Sequence, residues 1–306
     1  MRIVSHNKAS DFVDYLRPSA PQWWDVFTAR PTHVFRGHAR ASWKLLPKGW
    51  RPLDENPEIA SLIRTLSYHL EQLERPETLT EREQATVWRF ALAEAAIQFA
   101  QLGRSVGLEI PWQVPLSLVI SPTNAVPFID LSLLALAQHH GVPTQMLDWS
   151  EDPLTAAFFA IGSDPTDHDD LCVWAMNISV LGNAAEENIS LTSAPNVGNA
   201  NMRAQSGTFL AYYQGSYLNN LFEGGSWPSF ENNETIRASL TKITLCGSER
   251  GALQDLLLRE KRSKAHLMPS WDTVAQTLID DWKAKQQWQL LSPLEHWKHA
   301  PQDTSD

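Results

Sequence analysis

Apolar positions recur at helical spacing in two neighbouring stretches of the chain. Ile59, Leu62, Ile63, Leu66 and Leu70 form one stripe after Pro57. Val87, Phe90, Leu92, Ala96, Ile97 and Ala100 form another between Glu81 and Leu102. The spacing predicts an antiparallel helix pair joined by the polar stretch Glu74–Thr80, with Gly103 as the second stop. A shorter amphipathic helix is expected over residues 8–17, with Phe12, Tyr15 and Leu16 on one side. Asp130 is placed to cap a helix through Leu133, Leu134 and Leu136 that ends at Gly141. Asp152 is placed to cap, and Pro153 to open, a helix over Leu154–Ile161 that stops at Gly162. Between these two helices, Val142–Trp149 reads as a tight connection of mixed residues. Residues 106–128 carry Pro111, Pro115, Pro122 and Pro127 and read as a loop with short turns at most.

Strand patterns occur elsewhere. Thr32–Phe35 reads as a strand that delivers Arg36 and Gly37 at its end, and Trp43–Pro47 as a second short extended piece. Leu171–Met176 is apolar throughout, as a buried strand is, and Gly207–Tyr213 reads as another. Leu240–Leu245 alternates apolar and polar residues, as a half-buried strand does. Ser248 is placed to cap a helix through Leu253, Leu256 and Leu257, with Arg259, Lys261 and Arg262 at its negative end. Ser270 is placed to cap a last helix through Val274, Leu278 and Ile279. The expected fold is α+β, with a small central mixed or antiparallel sheet, flanking helices and a helical insertion at about 57–103. One domain is expected over residues 1–295 with its core at about 30–265, followed by a polar tail over 296–306.

Composition narrows the function classes. The chain has 306 residues, 43% hydrophobic and 20% charged, enough for one large core or two smaller ones. A formal charge of -10 excludes a whole-protein positive field and argues against a nucleic-acid partner, while leaving room for a local basic groove. Cys172 and Cys246 each sit in an apolar run without a C-x-x-C spacing, so both are read as buried thiols in a reducing compartment. The start of the chain lacks the apolar segment of a signal peptide, and no apolar run approaches the roughly 20 residues of a membrane span. A cytoplasmic protein without a membrane partner is expected. The 13 tryptophans admit two readings, core filling and nucleotide stacking.

Three segments carry candidate chemistry. In Phe35-Arg36-Gly37-His38, the glycine permits a close backbone approach and the arginine offers a planar fork of donors for a phosphate or carboxylate. Arg36 has an alternative reading, as a buried arginine locking the core by pairing with Asp148. The second segment runs from His139 to Trp149. Its histidines point roughly 100° apart on a helix, so one of them can face the following loop. His140, beside Gly141, is the candidate base. Thr144, Gln145 and Asp148 are polar residues in an apolar setting and need partners from the backbone or a ligand. Asp148 and Trp149 precede a helix N-terminus, a natural anion-binding end. In the third segment, Arg203 and Gln205 lead through Gly207 into a strand. No metal-ligand spacing, phosphate-binding glycine loop or dinucleotide fingerprint is present in the sequence.

Together these segments are similar to the FRG domain of bacterial and phage proteins. Phe35-Arg36-Gly37 matches its aromatic-Arg-Gly motif. His140-Gly141-x-Pro143-Thr144-x-x-Leu147-Asp148-Trp149-Ser150, followed by Pro153 and the run from Ala156 to Ala160, matches its longest motif. Arg203 to Phe209 matches the third with one residue fewer between Arg203 and Gln205. The layout also resembles that of ADP-ribosyltransferases. That resemblance implies NAD as a substrate and a role in phage–bacterium conflict, and the sequence establishes no cofactor. It implies that Arg36, Gly37, Thr144, Gln145, Trp149 and Arg203 contact the nucleotide while His140, Asp148 and Gln205 serve the chemistry. The third segment departs from the pattern by carrying Gln205 where a catalytic glutamate is expected. Glu223, Glu231, Glu234 and Asp148 are the substitutes. The alternative is a non-catalytic module that senses a nucleotide or a protein partner.

Overall fold

The computed structural model describes residues 1–72, 79–108, 119–121, 124–128, 131–162, 168–179, 181, 189–192, 204–212 and 218–289. Asp130, Arg203 and the expected polar tail lie outside these residues. In chain order the strands are β1 (Arg2–His6), β2 (His33–His38), β3 (Val119–Ser121), β4 (Asn124–Phe128) and β5 (Met146–Ser150). They continue as β6 (Leu171–Asn177), β7 (Ile189–Thr192), β8 (Gly207–Tyr212) and β9 (Leu240–Leu245). The helices are α1 (Ala9–Tyr15), α2 (Pro57–Gln72), α3 (Glu81–Ser105), α4 (Leu131–His139) and α5 (Pro153–Ile161). They end with α6 (Glu234–Ser239), α7 (Arg250–Arg259), α8 (Lys264–Leu267) and α9 (Trp271–Gln289).

Seven strands form one mixed sheet in the order β1-β9-β6-β2-β5-β8-β7. Only the β1–β9 pair among these is parallel. The fold is α+β, as the patterning predicts. Helices cover both faces. Phe35, Val173, Ala175, Ile243 and Leu245 pack with α1, α5 and α7 in one core. Val34, Leu147, Trp149, Trp174 and Leu210 pack with Trp50, Trp88, Leu92, Trp227 and Phe230 in the other. Trp50 and Trp227 stack there with ring centroids 4.9 Å apart, so these rings are core fillers. A third cluster joins α3 and α4 to β5 and β8 through Ala96, Leu134, Met146 and Phe209.

Several elements follow from local chemistry. Thr80 and Glu83 form a reciprocal capping box at the start of α3. Asp152 caps α5 through Leu154 N–H, with Pro153 in the first turn and Gly162 just past the end. Ser270 and Thr273 exchange bonds at the start of α9.

Six expectations need correcting. The stretch 106–128 is not wholly loop, because β3 and β4 pair antiparallel within it. Val142–Trp149 is not merely a connection, because its second half is β5, an interior strand buried from both sides. Trp43–Pro47 joins no ladder and instead bonds singly, as Leu45 N–H does to Glu231. Helix α3 passes through Gly103 and stops at Gly107, whose φ of 83° suits a residue without a Cβ. Ser248 lies in a 3₁₀ turn and does not cap α7, whose N-cap is Glu249. Cys172 is buried as expected, but Cys246 is only half-buried. Strands β1 and β7 were not legible in the pattern. No helix among the described residues is long and apolar enough to cross a membrane.

Candidate functional site

Strand β2 brings Arg36 to the middle of the sheet, not to a strand end. It pairs along its whole length with β6, but with β5 only at Phe35 opposite Ser150. Beyond that pair the two strands separate, and the gap is where the candidate site opens. The Asp148 carbonyl on β5 has no strand partner on that side. Arg36 Nη1 donates to it at 2.6 Å and lies 3.5 Å from Asp148 Oδ2. Arg36 Nε donates to Nε2 of His38 at 3.1 Å, which requires a neutral ring. Burial, reinforced by the charge of Arg36, pushes the His38 pKa down to about 3.

The cleft has a volume of about 370 Å3. Arg36, Gln138, His139, Asp148 and Gln205 supply its polar lining, with Phe159 and Met268 among the apolar residues. Strand β5 sends Leu147 and Trp149 into the core and leaves Asp148 in the cleft with its side chain 45% exposed. Gln138 Nε2 donates to Asp148 Oδ2 at 2.8 Å, and Gln138 Oε1 accepts from Thr144 Oγ1 at the same distance. Both polar bonds to the Asp148 carboxylate therefore end on Oδ2, and none among the described residues ends on Oδ1. Gln205 is held by its own main chain, whose carbonyl accepts from Ser150 Oγ at 2.7 Å. Its side-chain amide donates to the Leu267 carbonyl at 3.0 Å.

The predicted residues divide in two. Arg36, Gly37, Asp148, Trp149 and Gln205 line the cleft together, although the indole of Trp149 belongs to the core. His140 does not reach it. Its exposed ring stacks on Phe99 at 5.8 Å, and His139 occupies the inward position, with its pKa lowered first by burial. Thr144 is fully buried and acts on the cleft through Gln138. Gln145 bonds weakly to the Tyr212 carbonyl at 3.5 Å, outside the cleft. Gly37 serves packing, because a Cβ there would lie 1.9 Å from the Ala156 carbonyl of α5. The α5 N-terminus is no open anion site, since Asp152 fills it and binds Arg262 at 2.7 Å. Arg203 lies outside the described residues. The sequence reading missed Gln138, although it lies one helical turn beyond buried Leu134. A polar residue continuing an apolar stripe is the signal that marks it.

No curated protein and no solved structure matches the chain significantly. The family model of the FRG domain matches residues 117–169, which include the second of the three predicted motifs and neither of the others. The chain thus carries an FRG domain, and the matched segment is the one that supplies Gln138, His139 and Asp148 to the cleft.

Proposed function

We propose that the cleft binds a nucleotide of the NAD class and that Asp148 supports cleavage of its N-glycosidic bond. One observation carries this reading: a carboxylate fixed at one oxygen stands in a cleft of ligand size with its other oxygen unassigned. Of the four acidic substitutes for the expected glutamate, only Asp148 lines the cleft. Glu231 bonds Leu45 N–H, and Glu223 and Glu234 are exposed elsewhere. In the proposed reaction the bond between ribose C1′ and the pyridinium nitrogen breaks. Its electron pair passes to nitrogen, so nicotinamide leaves neutral. Water or an acceptor nucleophile joins C1′ and gives its proton to solvent. Asp148 Oδ1 accepts a ribose hydroxyl and stabilises the oxocarbenium-like transition state, while Arg36 holds a phosphate.

A second reading, a non-catalytic nucleotide-sensing module, is favoured by the contact of Arg36 with Asp148 Oδ2, which offsets part of the carboxylate's charge. Incubation of the full chain with NAD, followed by chromatography of nicotinamide and ADP-ribose, separates them. Nicotinamide release that is lost in Arg36→Lys supports catalysis. NAD binding without release supports the sensing module, and absence of both removes the NAD reading.

A further inference from the structure

Beside the first cleft lies a second depression of about 340 Å3. The two share Arg36, Gly37 and Phe159, so they meet along one ridge. The second is lined by Arg36, Arg40, Lys44 and Arg51, and no aspartate or glutamate is among its lining residues. In a chain of net charge -10, four cations around one hollow are a local reversal of sign. Arg40 is engaged by Asp169 at 3.4 Å. Among the described residues, the side chains of Arg51 and Lys44 form no hydrogen bond or ion pair. Arg51 is half-buried, so its charge faces the hollow with reduced solvent screening. The positive charges of Arg36 and Arg51, both in the lining, also act to lower the pKa of buried His38. Trp43 completes the lining. Its ring is 48% exposed, in contrast to the stacked core rings, and stands 6.1 Å from the His38 ring.

Unpaired guanidinium and ammonium groups next to an open indole face match a phosphate joined to an aromatic base. The geometry points to the second depression as the site for the phosphates and base of a nucleotide whose ribosyl end lies in the first cleft. Arg51 and Lys44 hold the phosphates and Trp43 stacks the base. This deepens the nucleotide reading of the first cleft and rests on it. A ligand bridging both hollows passes over the shared Arg36, which accounts for a half-buried guanidinium at the junction.

Calorimetric titration of the full chain with ADP-ribose, inorganic pyrophosphate and nicotinamide riboside tests this. Lys44→Ala and Arg51→Gln are each expected to weaken ADP-ribose and pyrophosphate binding about tenfold or more. Nicotinamide riboside, which reaches only the first cleft, should keep its affinity within about twofold in both variants. Trp43→Ala should weaken ADP-ribose severalfold and leave pyrophosphate unaffected. Lys44 is exposed, so its variant remains informative if Arg51→Gln folds poorly. Unchanged ADP-ribose affinity in Lys44→Ala and folded Arg51→Gln overturns the inference. So does a single-stranded DNA oligomer that binds more tightly than ADP-ribose through the same residues. If nicotinamide release fails while ADP-ribose still binds through Arg51 and Lys44, the catalytic reading falls and this inference stands.

Discussion

Replacing Gly37 by alanine places a methyl group against the backbone of α5. The new Cβ would lie 1.9 Å from the Ala156 carbonyl oxygen and 2.6 Å from the Ala160 nitrogen. Both are main-chain atoms, so no side-chain rotation relieves the clash. The helix must retreat by roughly 1 Å or more to restore van der Waals distance. It carries Ala156, Ala157 and Ala160 against Phe35 and Val173, so the retreat opens the core on that face. Overpacking costs typically about 1–3 kcal/mol, and the loosened contacts add to it. A loss of about 3 kcal/mol or more is expected, a large part of the 5–15 kcal/mol usual for a folded domain. With a urea slope of about 3 kcal/mol per molar, the unfolding midpoint should fall by about 1 M. Gly251→Ala is the control. It lies in α7 with nothing within 4 Å of its added Cβ, and should be neutral or stabilising by up to about 1 kcal/mol. Equal midpoints for Gly37→Ala and wild type would refute the packing account of this glycine.

Three further outcomes follow from the same contacts. Asp152→Ala removes the α5 cap, the bond to Thr155 and the ion pair with Arg262, and should cost about 2–4 kcal/mol in urea unfolding. A loss under about 0.5 kcal/mol would contradict it. Stability should also fall with pH below 6.5. His38 has a folded-state pKa of about 3, so below its ordinary value of 6.5 the unfolded chain takes up a proton that the folded protein does not, and the folded state is free of this penalty only above 6.5. The expected loss is roughly 2 kcal/mol between pH 6.5 and pH 5, with buried His139 and His33 acting in the same direction. A flat profile over that range would count against a neutral His38 beside Arg36. Thr144→Val should leave the fold intact, loosen Gln138 and weaken nicotinamide release more than His140→Ala does, and the reverse order would return His140 to the site.

How far the sequence reveals the site depends on which residues carry it. Asp152, Pro153 and Gly162 mark α5 because caps and stops act within a few residues. The contact of Arg36 with Asp148 was legible because the alternative reading of Arg36, as a core lock, demanded it. The cleft beside it shows that the contact is no simple core lock. Strand β5 hid behind Gly141 and Pro143 because its two faces meet two different cores, Met146 in one and Leu147 with Trp149 in the other. Burial on both faces erases the alternation that marks a strand. Strand β1 pairs with β9 from the far end of the chain, and its Ile3 stays 60% exposed, so no local pattern signals the pairing. The exchange of His139 for His140 is a matter of helix phase, one residue and a quarter turn.

The most direct test of the central claim is nicotinamide release from NAD by the Asp148→Asn variant, measured beside its affinity for ADP-ribose. Asparagine keeps the shape and can still accept from Gln138, but it lacks the charge that stabilises the ribosyl cation. The account predicts a fall in the release rate of about 100-fold or more, with ADP-ribose affinity within about threefold of wild type. Release at the wild-type rate by a folded Asp148→Asn protein would contradict it.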